Sequence, residues 1–231
     1  MKVVVIYGQD HKGSTYHIAH EIARKTGGDI TEFFLPRDFR EMCCGCTQCF
    51  VKGEEKCPHY QKLLPITRAI DESDVIILAS PVYVFHATGA MKSLLDHYGY
   101  RWMPHRPEQL MFSKQGVCVS TAAGAGMNSA IKDMADSLSY WGVAKIYKYG
   151  VAVAAVDWDS VSDKKKKTID KAASSIASEL VRRNGKVKPG FKTKFLFSIM
   201  RMMQKNGFNL KKDMEYWNEK GWTGSKRPWI N

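Results

Sequence analysis

Apolar and polar positions along this chain fall into blocks of two periods. Lys2–Tyr7 is a continuous β-branched run, as in a strand buried on both faces. A polar loop, Gly8 to Gly13, follows. Ser14 then opens a helix to about Lys25, with Ile18, Ala19, Ile22 and Ala23 on one face. Asp29–Leu35 alternates and predicts a second strand. Residues 36–60 form a long connection, and connections of that length usually carry function. The pattern then predicts a helix over Gln61–Glu72, a strand over Asp74–Ser80 and a helix over Thr88–Tyr98. A strand over Gln115–Thr121, a helix over Gly126–Trp141 and a strand over Ala144–Ala154 come next. A long amphipathic helix, Ser162–Asn184, has the Lys164–Lys167 run on its wet face. Strands that alternate with helices in this way predict a parallel, doubly wound α/β sheet covered on both sides.

Turn residues from Asn184-Gly185 through Pro189-Gly190 end that pattern and divide the chain into 1–184 and an extension, 185–231. The extension begins with a helix over Phe191–Gln204. There Phe191, Phe195, Ile199 and Met203 recur every four residues, with Leu196 and Met200 beside them, bordered by Lys192, Lys194, Arg201 and Lys205. An aromatic tail holds Trp217, Trp222 and Trp229. An apolar helix face of this kind more often covers its own domain or a partner subunit than a lipid surface. The expectation is packing on a protein surface, across a homodimer and near the strand-end loops, with peripheral membrane contact as the alternative.

The net charge is +12, from 35 Lys and Arg against 23 Asp and Glu, and much of the excess lies in the extension. Such a surface favours anionic partners, or is simply solvated. No signal peptide and no stretch long enough to span a membrane is present, so a cytoplasmic protein with reduced thiols is expected.

Of the six cysteines, five lie between positions 43 and 57. Cys118, in an apolar run, reads as a buried, inert thiol. Cys43, Cys46, Cys49 and Cys57 have the spacing C-x2-C-x2-C-x7-C inside the loop 41–60, followed at once by Pro58. Thiolates are soft donors for iron–sulfur clusters and zinc. Three thiols two residues apart favour a [4Fe–4S] cluster over zinc, whose sites more often use two separated pairs. Cys44 fits neither pattern. Free thiols used only for packing are the plain alternative.

Three strand-end loops carry the remaining chemistry. Gly8-Gln9-Asp10-His11-Lys12-Gly13-Ser14-Thr15 joins a strand to a helix N-terminus, where free amides and the dipole favour a phosphate. It is no Walker motif, and Ser14 also reads as a simple N-cap. In Ser80-Pro81-Val82-Tyr83-Val84-Phe85-His86 the aromatic residues are suited to flanking a planar ring, with His86 as a donor to a ring carbonyl. The alternative is aromatic packing beside a surface histidine. Thr121-Ala122-Ala123-Gly124-Ala125-Gly126 lets a flat ligand approach the backbone, or is an ordinary glycine-rich turn.

With Gly89, Lys92, Leu95 and Asp96 behind Ser80-Pro81-Val82-Tyr83, these loops resemble those of the flavodoxin-like NAD(P)H-dependent FMN reductases over about residues 1–184. The cysteine spacing is similar to that of the iron–sulfur flavoproteins within that group. The resemblance implies a five-stranded sheet of order 2-1-3-4-5. It further implies that Gln9, His11, Ser14 and Thr15 hold the FMN phosphate. Pro81, Val82, Tyr83, Val84 and His86, with Thr121, Gly124 and Gly126, line the isoalloxazine. The chain departs from the family pattern at Gln9-Asp10-His11, where Ser-Pro-Arg is frequent, at Val84, where Trp or Phe is, and at His97, where Arg is usual.

The first reading is therefore an FMN-dependent oxidoreductase that passes electrons from NAD(P)H, NADPH included, to a quinone, a free flavin or a redox protein. No acid–base catalyst is assigned, because the flavin carries the organic chemistry. The second is an iron–sulfur flavoprotein that transfers electrons to a redox-protein partner. The third is a nonenzymatic basic binding module with a zinc-stapled loop. No nucleic-acid partner is expected under the first two.

Overall fold

The β-branched run at the N-terminus becomes an interior strand because both of its faces are apolar. The structure, a computed structural model, describes residues 1–207 and 209–230. β1 (Lys2–Tyr7), β2 (Asp29–Phe34), β3 (Val75–Pro81), β4 (Gln115–Ala122) and β5 (Lys145–Ala152) pair in the order β2-β1-β3-β4-β5. Every pair is parallel. This is the flavodoxin-like order expected, with its switch point between β1 and β3.

The two-residue side-chain period divides the core. Val4 and Ile6 of β1 and Ile76 and Leu78 of β3 turn to one face. They meet α3 (Tyr60–Glu72), α4 (Gly89–His97) and α5 (Met127–Trp141) through Ile66, Leu94 and Met134. Val5, Ile77 and Val119 turn to the other face and meet Ile18 and Ile22 of α1 (Ser14–Arg24) and Leu180 of α6 (Asp163–Arg183). Each such residue, fully buried, contributes about 1.5–3 kcal/mol. Gly142 ends α5 at φ 98°, and a Cβ there would stand 2.7 Å from the Phe112 ring. The position therefore needs both the left-handed backbone and the missing side chain.

The long connection contains two short pieces that periodicity does not reveal, α2 (Gln48–Val51) and a 3₁₀ turn, Glu54–Lys56. The C-terminal segment forms α7 (Phe191–Lys205) and α8 (Lys211–Glu219). Its buried face keeps Leu196 and Met200 of the expected stripe but centres on Phe197. Phe197 is fully buried, with Leu196 and Met200 beside it, whereas Phe191 and Phe195 are exposed. The reason is α8. Trp217 stacks on Phe197 at 4.8 Å between centroids, and Trp222 closes on its edge at 5.6 Å. Met103 and Phe112 complete this cluster, so α7 and α8 pack on the segment between α4 and β4 of the same chain. Trp217 Nε1 donates to the His105 carbonyl at 2.6 Å, and Tyr216 donates to that of Pro107 at 2.8 Å. Among the described residues, no helix is long and apolar enough to cross a membrane.

Candidate functional site

At the carboxyl end of β1 the chain turns into α1 through Gly8–Gly13. Gly8 is tightly seated, with Thr88 Oγ1 2.8 Å and Ser80 Oγ 3.0 Å from where a Cβ would stand. Thr88 does two jobs. Its hydroxyl donates to the Gly8 carbonyl at 2.6 Å and accepts from the Met91 amide, capping α4. Helix α1 starts differently. Its N-cap is Gly13, so Ser14 is the first helical residue, and no side chain caps the helix. Among the described residues, the amides of Ser14, Thr15 and Tyr16 find no backbone acceptor, and no acidic residue occupies the first turn. Free amides at a positive dipole end suit an anion.

The side chains around this terminus divide into inward and outward. Gln9 is buried, and its Nε2 donates to the His11 carbonyl at 3.2 Å. Its buried Oε1 has no partner, an acceptor left for a ligand that donates. His11 is exposed and Ser14 is half-buried. Thr15 is buried, with its hydroxyl 2.7 Å from that of Thr121, which ties the first loop to the third.

At the end of β3, Pro81 pairs with Thr121 of β4, and the Val82 amide donates to the Thr121 carbonyl at 2.8 Å. Tyr83 and His86 then exchange backbone hydrogen bonds of 2.9 and 3.1 Å around a two-residue turn. Its central residues, Val84 and Phe85, have φ of 49° and 66°. Such turns favour Asn-Gly, and a β-branched residue in the left-handed region is strained. Strain of this kind concentrates at functional positions. Val84 is 93% exposed, and Tyr83 and Phe85 are also exposed, so the tip is a bare apolar surface.

His86 Nδ1 lies 3.0 Å from Asp133 Oδ2 on α5, and the same oxygen accepts from the Ala87 amide at 3.2 Å. Nδ1 is therefore the protonated nitrogen, and Nε2 is the one left for a ligand. Gly126, at φ 97°, caps α5 behind this loop, where a Cβ would stand 2.7 Å from Val82 Cγ1. Gly124 is exposed and has nothing within 4 Å of its missing Cβ. All twelve residues expected around a flavin thus lie in, or directly beside, three adjoining loops at the ends of β1, β3 and β4. Thr88 and Asp133, which brace those loops, were not singled out in the sequence. Thr88 had a signal, a threonine directly before a helical run; Asp133 had none.

The cysteines form a second centre beside α4. Cys43, Cys44, Cys46, Cys49 and Cys57 all line one pocket with Phe50, His59 and His97. Cys44, set aside on spacing, is part of this lining. Cys43 and Cys46 are exposed, while Cys49 and Cys57 are half-buried. Burial pushes the Cys49 thiol up to about 11, with the nearby Cys57, Cys43 and Cys46 adding to the rise. Burial also raises Cys57. A soft, positively charged metal centre would offset the cost of ionising the Cys49 and Cys57 thiols here. Burial holds His97 below its ordinary value, as a neutral imidazole. Arg106 donates to the Cys49 carbonyl, and at 3.4 Å to that of Phe50, so it grips the loop from below. Cys118 is fully buried, as expected.

An iron–sulfur flavoprotein of Archaeoglobus fulgidus is 28% identical over 227 residues, which cover 96% of this chain and 99% of that one. An iron–sulfur flavoprotein of Methanocaldococcus jannaschii is 33% identical over 134 residues, 55% of this chain and 64% of that one. Among solved structures, an NAD(P)H:quinone oxidoreductase from Methanothermobacter marburgensis aligns with a TM-score of 0.59 at 16% identity, covering 78% of this chain and 96% of that one. A flavone reductase aligns at 0.60 and 15% identity, covering 82% of this chain and 66% of that one. These two share the fold. Residues 1–157, well over half of the chain, match the family described as NADPH-dependent FMN reductase, and the chain belongs to that family as an FMN-dependent oxidoreductase.

Proposed function

We propose that the chain seats FMN across the three loops and takes electrons from NAD(P)H, passing them to a small acceptor such as a quinone or to a redox protein. The observation that carries this reading is the uncapped start of α1, with three unpaired amides and the orphaned Gln9 Oε1 beside the loops at the ends of β3 and β4. The Ser14, Thr15 and Tyr16 amides, with the Ser14 hydroxyl, hold the phosphate. Gln9 Oε1 accepts from a ligand hydroxyl. The ring lies against Pro81–Tyr83 and Gly124–Gly126, and His86 Nε2 faces its polar edge. Bound FMN supplies hydride acceptance and single-electron transfer; the protein orients it and shields it from water.

Cys43, Cys46, Cys49 and Cys57 hold a [4Fe–4S] cluster in this reading. It is supported by their shared pocket, by the cost of placing several thiolates there without a metal, and by the relatives named as iron–sulfur flavoproteins. A cubane spreads its four thiolates over four irons, so they need not meet at one point. The exposed apolar tip Tyr83–Phe85 supports a homodimer that covers it. Anaerobic purification followed by FMN, iron and sulfide analysis tests the reading. One FMN per chain, cluster iron and flavin bleaching by NADPH or NADH are expected. FMN without iron leaves a plain FMN reductase, and no flavin bleaching by either nucleotide contradicts the electron donor.

A further inference from the structure

Helix α7 uses only one side for contact with its own chain. Phe197 and Gln204 are buried there, with Leu196 and Met200 beside them, and Gln204 Nε2 donates to the Pro104 carbonyl at 2.8 Å. At about 3.6 residues per turn, Phe191, Phe195 and Met202 fall along one line on the opposite side. Their exposures are 83%, 57% and 57%. The Phe191 and Phe195 rings stack on each other, 6.0 Å apart between centroids. Apolar residues scattered singly over a surface are ordinary. An aligned and stacked set, on a helix held to the protein by its other side, marks a contact surface.

The charge around this ridge is of one sign. Between Glu179 and Asp213 the chain carries ten Lys and Arg and no Asp or Glu. Lys192 borders the ridge on one side, Lys194 and Lys205 on the other, and all three are exposed. Arg182 and Arg183 pair with Glu179, and Lys211 with Glu215. Among the described residues, no cation from Lys186 to Lys205 meets a carboxylate. Phenyl rings on a convex ridge bordered by lysines suit a helix that lies in a lipid interface. The rings enter the acyl boundary, the lysine stems follow them, and the ammonium groups stay among the head groups. An acidic protein would answer the charge but would need a groove cut to the two rings, whereas a bilayer deforms around them.

We propose that α7 docks on an anionic membrane surface, with Phe191, Phe195 and Met202 inserted and Lys192, Lys194 and Lys205 against lipid phosphates. The contact is peripheral, because α7 has 15 residues and a spanning helix needs about 20. Two rings and three lysines suit a reversible attachment rather than a permanent anchor. Arg201 is not part of it: its guanidinium donates to the Thr223 carbonyl at 3.3 Å and to that of Gly224 at 2.7 Å, which holds the segment after α8. No residue of the three strand-end loops or of the cysteine loop enters the contact, so both proposed centres keep all of their residues.

Full-length, FMN-loaded protein is sedimented with vesicles of phosphatidylcholine alone and with mixed phosphatidylcholine–phosphatidylglycerol vesicles. Binding to the mixed vesicles only, falling as salt is raised, is expected. Each lysine near an anionic surface is worth about fivefold, so Lys192→Gln with Lys194→Gln should weaken binding roughly thirtyfold. Phe191→Ala with Phe195→Ala should weaken it by at least roughly tenfold. Both rings are exposed, so the thermal midpoint and FMN content of that variant should match the parent. Lys164→Gln with Lys167→Gln, exposed on α6, should leave binding within about twofold of the parent. No binding to mixed vesicles, or parent-like binding by the phenylalanine variant, overturns the proposal. An equal loss in the α6 variant would show bulk charge at work and overturns it too. So does a fall in the phenylalanine variant's mass in vesicle-free sedimentation equilibrium, which would give the ridge to a second copy of the chain.

Discussion

Arg106 and Asp213 form an ion pair in the interior of the protein, with side-chain exposures of 5% and 0%. The same guanidinium donates to the Cys49 carbonyl, so one side chain joins α8 to the cysteine loop. Asp213 also accepts from His105 Nδ1 at 2.7 Å. The extension is thereby coupled to the loop through hydrogen-bonded charge as well as through the Trp217 cluster.

Removing one partner of a buried pair leaves the other uncompensated, which costs about 3–5 kcal/mol. Asp213→Ala should lower the urea unfolding free energy by that amount and loosen the cysteine loop, read as faster alkylation of Cys49. A loss under about 0.5 kcal/mol would show that the pair is not closed in solution.

The turn at Val84-Phe85 is the clearest local mismatch between residue type and backbone. Replacing the two residues by Asn-Gly fits the turn and should raise the thermal midpoint, with each relieved position worth on the order of 1 kcal/mol. If the tip lies against the flavin or its partner, the same change lowers kcat/KM. A lower midpoint would mean that Val84 and Phe85 are held there by packing.

Thiol accessibility gives a third test. In metal-free protein at neutral pH, brief iodoacetamide treatment followed by peptide mass spectrometry should label exposed Cys43, Cys44 and Cys46 first. Half-buried Cys49, whose thiolate is disfavoured up to about pH 11, should follow slowly, and buried Cys118 only on unfolding. Rapid labelling of Cys49 would contradict the pocket.

For the proposed cluster, Cys57→Ala should remove iron and leave FMN in place, because the proposed phosphate seat lies on a different element. Retained iron and sulfide in that variant would exclude Cys57 as a ligand.

The strands β1, β3 and β4 were legible because each is an apolar run long enough to be buried twice over. The three loops followed from their positions after those strands. What was not legible depends on contacts distant in sequence. Arg106 and Asp213 are 107 positions apart, and no local pattern links them. Thr15 meets Thr121 at a separation of 106. Helix α8 is mostly charged and polar, with Trp217 as its anchor, so periodicity gave no sign of it. The phase of α7 was only partly legible for the same reason, with Leu196 and Met200 on the packed face but Phe197 overlooked. Its four-residue stripe is real in sequence, but the indoles of Trp217 and Trp222 select the neighbouring face through Phe197.

The central claim is that the uncapped start of α1 holds the phosphate of a flavin, and comparing FMN with riboflavin on the apoprotein tests it most directly. The two ligands share the ring and differ in the phosphate. Two charge-assisted hydrogen bonds, each worth roughly 1.5–3 kcal/mol, should make FMN bind roughly a hundredfold or more tighter. Ser14→Ala should narrow that gap by weakening FMN alone. Equal affinities for FMN and riboflavin in the parent protein would contradict the account.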